Sequence, residues 1–296
     1  MEDALQNVFS MFLIMMASYV LMKKTPYPVE VVNTIVFNFF LPVTTFYSIA
    51  RLQKIAAGDL LLLTVTGFIT MYAVYLFAII IAGMSGIKGQ FRKTFLLGAT
   101  YGNQVFLGVP VCYAFLGEQG TVAALFFAIG GYLFLYGVGI YIMTGRTTPA
   151  AVFKNPLSMA MVAGILFVVL GIPIPSLLSH TFSLMSTATF PLSMMVVGGG
   201  LKFHFFINSN RIAHTLCASG IKLIISPLLA WGICLVLGLT RDQLGVCILQ
   251  SAMPTAVLVT IFSVKYEADP VFSNAIVSLT TLVCMATIPM LFFLLK

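Results

Sequence analysis

Carboxylates are scarce in this 296-residue chain, and none lies within a long apolar segment. The four aspartates (Asp3, Asp59, Asp242, Asp269) and four glutamates (Glu2, Glu30, Glu118, Glu267) fall in loops or at the ends of hydrophobic runs. That excludes an intramembrane protease built on paired acids. It also leaves no evident buried acid to relay protons or ligate sodium. His180, His204 and His214 sit near the ends of apolar runs without zinc-type spacing. The five cysteines (Cys112, Cys217, Cys234, Cys247, Cys284) lie inside apolar runs, also without ligand spacing, and read as packing residues. No nucleotide-binding motif or low-complexity tract is present, and loops such as Gly145–Pro156 are too short for a soluble domain. The expectation is a protein that is not an enzyme and needs no cofactor or metal.

Apolar length dominates what remains. Sixty per cent of residues are hydrophobic and 8% are charged. Runs of about 18 or more apolar residues read as transmembrane helices. Ten are expected: 5–22, 29–50, 60–84, 95–116, 121–144, 157–172, 178–200, 212–238, 243–264 and 271–295. The fold class is therefore an all-α membrane protein, with the lipid bilayer as its surroundings. The net charge of +7 lies in loops and marks topology rather than a nucleic-acid partner. With the N-terminus outside, ten basic residues face the cytoplasm: Lys23, Lys24, Lys88, Arg92, Lys93, Arg146, Lys154, Lys202, Arg211 and Lys265. Four (Arg51, Lys54, Arg241 and Lys296) face outward. Both termini are thus expected outside. The first run reads as a span, not a cleavable signal, because Glu2 and Asp3 precede it and Lys23 and Lys24 follow.

A shift of 149 residues brings marked positions into register: Pro26 with Pro175, Pro42 with Pro191, Leu52 with Leu201, Arg92 with Arg241, and Glu118 with Glu267. Five spans per copy is an odd number, so the second copy enters the membrane inverted. The expected repeats are 1–144 and 157–296. Such halves can exchange conformations, which favours alternating access over a static pore.

Two spans carry helix-breaking residues at matching depth. The first break runs Tyr101-Gly102-Asn103-Gln104 and on to Gly108 and Pro110; the second runs Gln250-Ser251-Ala252-Met253-Pro254-Thr255. Broken backbone is tolerated in a membrane where it lines a protein cavity. Matched breaks point to a transporter's substrate site. Asn103, Gln104, Gln250, Ser251 and Thr255 offer amides and hydroxyls, while Pro110 and Pro254 free upstream carbonyls. Half-helix N-termini bring unpaired N–H groups and partial positive charge toward an anion.

Lys222 is the remaining candidate. It lies roughly 15 Å into the eighth span at the helical rise, where a lysine costs about 2.5–3.5 kcal/mol. Thr215, Ser219, Lys222 and Ser226 share a helix face, so this stripe must turn toward protein or water. Two roles are open to Lys222: attracting an anionic substrate, or serving as an internal cation in place of a coupling ion. Asn274, Ser278 and Thr281 form a second stripe, and Asn38 lies mid-span; these read mainly as helix-joining residues.

At these positions the sequence resembles the auxin efflux carrier family of secondary transporters. Residues 103–110 match that family's Asn-x-x-Phe-Leu-Gly-x-Pro signature, and Phe115-Leu116-Gly117-Glu118-Gln119-Gly120 also fits. Ala252-Met253-Pro254-Thr255-Ala256 matches its ninth-span Ala-Met-Pro-x-Ala pattern. Residues 222–227 and Phe40-Leu41-Pro42 match further segments. The resemblance implies a bile acid–sodium symporter-like fold with crossed, broken helices 4 and 9. It implies a scaffold from 1–50 and 157–200, a transport bundle from 60–144 and 212–296, and elevator-type movement between them. It also implies a homodimer formed through the scaffold, and small organic anions as substrates, such as auxin-like monocarboxylates or dicarboxylates like malate. The short loops resemble prokaryotic members, which implies the inner (plasma) membrane. The third span, Leu60–Met84, departs from plant carriers in lacking an acid, which leaves the coupling ion open. An anion channel or a non-transporting membrane sensor on the same fold is the alternative.

Overall fold

The computed structural model describes residues 2–52, 57–202 and 209–295; Lys54, His204 and Lys296 lie outside them. The helices are α1 (Glu2–Lys24), α2 (Val29–Ala50), α3 (Ala57–Met84), α4 (Gly89–Thr100), α5 (Gln104–Thr144), α6 (Pro156–Val169), α7 (Ser176–Gly199), α8 (Arg211–Val236), α9 (Arg241–Ser251), α10 (Val257–Lys265) and α11 (Pro270–Leu295). Among the described residues, seven of these are long and apolar enough to cross a membrane: α1, α2, α3, α5, α7, α8 and α11. The protein is an all-helical membrane protein.

α5 is 41 residues long, about twice what one crossing needs. It is not one rod. Leu116 (φ −135°, ψ 17°) and Gly117 (φ 61°, ψ −142°) leave helical geometry and bend it. Gly117 adopts a backbone region that a Cβ forbids. The bend falls between the fourth and fifth apolar runs of the sequence. α4 and the first arm of α5 make up the fourth run, interrupted at 101–103, while α9 and α10 make up the ninth, interrupted at 252–256.

α4 begins at Gly89, six residues before the apolar run, because hydropathy marks only the buried part of a helix. Its extra turn holds Arg92 and Lys93, and Lys93 Nζ donates to the Met143 carbonyl at 2.8 Å. That carbonyl belongs to the last turn of α5, where a cation offsets the negative helix end.

Three wide π-turns, Val36–Phe40, Gln104–Gly108 and Ile221–Ile225, each end two residues before a proline (Pro42, Pro110, Pro227). Proline supplies no N–H, and its ring crowds the carbonyl four residues back. Widening the preceding turn relieves that conflict. A fourth π-turn, Leu135–Gly139, has no proline behind it.

α1 packs along α7, and α2 packs against α6 and α7. α3 runs beside the second arm of α5; the end of α8 contacts α9 and α3; α11 contacts α4, α8 and α10. The α3–α5 contact is backbone to backbone. A Cβ at Gly67 would strike the Phe127 carbonyl, and one at Gly130 would strike the Thr64 carbonyl. Thr64 Oγ1 also donates across it to the Phe126 carbonyl at 3.1 Å. With no water to expel between helices in lipid, such small-residue packing supplies the attraction.

Polar residues behave mainly as joints. Ser278 Oγ and the Lys202 backbone exchange hydrogen bonds of 3.0 Å. Thr260 Oγ1 lies 3.4 Å from Asn274 Oδ1. Thr281 is buried. Asn38 is exposed and bonds back to the Thr34 carbonyl at 2.9 Å. Ion pairs Arg51–Glu118 (3.6 Å) and Arg211–Asp269 (3.2 Å) each join loops that the charge pattern assigns to one side.

Gly130→Val is expected to lower the thermal midpoint of the purified protein, with an overpacking cost of about 1–3 kcal/mol. A midpoint equal to the parent's would refute the close α3–α5 contact.

Candidate functional site

The two helix breaks meet. Asn103 N–H donates to the Pro254 carbonyl at 2.7 Å, and Ala256 N–H donates to the Tyr101 carbonyl at 3.1 Å. Gly102 and Thr255 thereby form an isolated antiparallel bridge. Thr255 Oγ1 ties the crossing to α4 through the Gly98 carbonyl at 2.7 Å, and Thr255 N–H is held by Thr280 Oγ1 of α11 at 3.1 Å. Each break needs donors and acceptors that a helix no longer provides, and the other break supplies them.

A cavity of about 140 Å³ lies against this crossing. Tyr101, Gly102, Asn103 and Gln104 form one wall, and Ala256, Val257, Leu258 and Ile261 continue it. Asn33 and Phe37 of α2 and Val196 and Val197 of α7 close the opposite side, with Tyr132 and Tyr136 of α5 between. Phe37 and Phe106 stack across it with ring centroids 6.3 Å apart. Asn103 is the N-cap of the helix that follows, yet its side chain makes no capping hydrogen bond. Ala256 starts α10 with no side chain that can cap. Val105 and Phe106 in one helix, and Val257 and Leu258 in the other, therefore line the cavity from first turns whose N–H groups lack intrahelical partners. A compact acceptor fits such a lining: two helix N-termini, three amide residues and tyrosine rings.

Of the residues singled out in the sequence, Asn103 and Gln104 line this cavity. The Gln104 amide is buried, finds no hydrogen-bond partner among the described residues and rests against Gly131. Pro254 and Thr255 build the crossing itself. Pro110 is buried one turn behind, following the Gln104–Gly108 π-turn. Gln250 packs against Gly108 and faces the Cys112 thiol, away from the cavity lining. Lys222 and Ser251 are bonded to each other: Lys222 Nζ donates to the Ser251 carbonyl at 2.6 Å. Lys222 is fully buried and stands behind Gly102 rather than in the cavity. Its companions Thr215, Ser219 and Ser226 are also buried, as their shared face requires.

Sequence reasoning missed Asn33, Tyr132 and Tyr136. Spacing held the signal: Asn33 with Phe37, and Tyr132 with Tyr136, each lie four residues apart on one helix face. Among the described residues, no group of three or more His, Cys, Asp or Glu is arranged to hold a metal.

A family model described as membrane transport protein matches the chain over residues 3–152 and 147–292. The chain belongs to this family, the auxin efflux carriers that its motifs resemble. An uncharacterized transporter of Methanothermobacter thermautotrophicus is 29% identical over 264 residues, covering 87% of this chain and 86% of that protein. One of Methanocaldococcus jannaschii is 27% identical, covering 81% of each. The uncharacterized transporter YfdV of Escherichia coli is 24% identical, covering 87% of this chain and 86% of YfdV. The protein is a multi-pass membrane transporter and not an enzyme.

Thr255→Val removes the hydroxyl bonded to Gly98 and leaves a buried carbonyl unsatisfied, for a loss of about 1–3 kcal/mol. Thermal unfolding of the purified variant measures this; an unshifted midpoint would show that the crossing does not depend on that bond.

Proposed function

We propose that this protein is a secondary active carrier of small organic anions, an auxin-like monocarboxylate or a dicarboxylate such as malate, working by alternating access. The observation that carries this reading is the cavity's position. It lies where two broken helices cross, and its other wall belongs to α2 and α7. Asn103 and Gln104, with the helix N-termini at Val105 and Val257, bind the carboxylate. Lys222 adds positive potential from behind Gly102.

The same reading gives ten spans in two inverted five-helix repeats. It is supported by the bend at Gly117, by the two breaks in corresponding runs, and by the 149-residue register. α1, α2, α6 and α7 act as the scaffold, and the remaining helices form the transport bundle. A ligand held chiefly by the crossing travels with the bundle, which makes the motion elevator-like. Two copies pair through their scaffolds in the plasma membrane. Both termini lie outside, in keeping with the excess of basic residues in the alternate loops.

Reconstituted into proteoliposomes, the protein is expected to take up a radiolabelled carboxylate saturably. Asn103→Ala should reduce that uptake about 10- to 100-fold, the worth of a hydrogen bond to a charged group, without a matching loss of thermal stability. Uptake unchanged in Asn103→Ala sinks the site. Flux without saturation indicates a channel instead, and ligand-induced stabilisation without flux indicates a sensor. For topology, alkaline phosphatase fused after residue 295 should be active and a GFP fusion there dark; the opposite pattern reverses the orientation.

A further inference from the structure

The C-terminal end of α9 presents oxygen atoms that the helix itself does not use. The residue four beyond Gln250 is Pro254, which has no N–H to give. The N–H of Thr255, which a continuous helix would direct to the Ser251 carbonyl, goes to Thr280 Oγ1. The Ser251 carbonyl therefore accepts from elsewhere: Lys222 Nζ at 2.6 Å and Ser226 Oγ at 3.0 Å. Ser226 Oγ also lies 3.3 Å from Nζ. The Met253 carbonyl approaches the same region. A Cβ placed on Gly102 would stand 3.1 Å from Nζ and 3.3 Å from that carbonyl. Lys222, Ser226 and Ser251 are all fully buried.

Carbonyl and hydroxyl oxygens at the negative end of an interrupted helix are what membrane carriers use to hold a coupling cation. We propose that this oxygen cluster is a monovalent-cation site whose cation is the chain's own ammonium. Lys222 reaches it from the π-turn Ile221–Ile225, which ends two residues before Pro227. The charge is tethered by four methylenes, so it neither enters nor leaves with the solution. The crossing is completed without a dissolved ion, and its positive field reaches the cavity across the single residue Gly102. That last consequence rests on the anion-carrier reading; the cation site does not.

The site is testable without a substrate. Thermal unfolding of the purified protein is followed in sodium, potassium, methylammonium and choline chloride at equal ionic strength. Wild-type protein is expected to respond alike to all four salts. Lys222→Ala should unfold at lower temperature and recover by about 3–6 °C, saturably, in sodium or methylammonium but not in choline. Saturable stabilisation of the wild type by sodium or potassium overturns the proposal. A folded Lys222→Ala that does not discriminate among the salts overturns it as well. Should that variant not fold, the wild-type titration alone decides by the first criterion. If no organic anion is transported, these outcomes stand unaffected, so the two readings fail separately.

Discussion

Two backbone hydrogen bonds, Asn103 to Pro254 and Ala256 to Tyr101, make the rest of the molecule possible. In hydrocarbon an unpaired peptide group costs several kcal/mol, so a helix cannot be opened there without replacement partners. Here each opened helix supplies partners to the other. The result is a short stretch of extended backbone, bridged at Gly102 and Thr255 and braced by Gly98 and Thr280. Once the backbone is paired across the crossing, the side chain of Asn103 is not needed as a cap. The helix N-termini beyond it remain open to a cavity, so the need to satisfy the backbone and the capacity to bind an acceptor arise from the same few residues.

The electrostatic arrangement follows from the same economy. Acids occur in the spans only near their ends or at the bend of α5, and the cavity wall contains no formal charge of either sign. What the wall offers is dipolar: first-turn N–H groups, the amide residues Asn33, Asn103 and Gln104, and tyrosine rings. The nearby ammonium of Lys222 is turned toward a helix C-terminus, one residue behind that wall. A charge solvated by protein oxygens biases the potential of the cavity without touching its lining.

Much of this was legible in the sequence. Apolar runs marked the chain as an all-helical membrane protein, because in lipid composition and helix length are tied together; seven described helices are long and apolar enough to cross a membrane. Gly102 and Pro254 located the breaks, the glycine because it lacks a Cβ and admits non-helical backbone, the proline because it lacks an N–H. Less legible was which side chains turn toward the cavity. Gln250 and Gln104 look equivalent as sequence, yet one packs on Gly108 and the other lines the cavity, because Gln104 opens the helix after its break whereas Gln250 lies at the end of the helix before the other break. Tyr132 and Tyr136 were missed for a related reason: in a span so rich in aromatics, tertiary packing alone separates a lining residue from a filler. Asn38 was noticed for its polarity but faces outward, whereas Asn33, one turn earlier, reaches the cavity.

The ion pair between Arg51 and Glu118 joins the end of α2 to the bend in α5, and both side chains are about half exposed. Exposed pairs of this kind contribute little, on the order of 0–1 kcal/mol, because water replaces the partner as soon as it departs. The fastening between these two helices at this edge is therefore nearly isoenergetic when open or shut. It can set an alignment without resisting a slide, in the manner of a detent rather than a lock. Further contact between these two helices lies deeper, where Phe37 and Phe106 stack with centroids 6.3 Å apart.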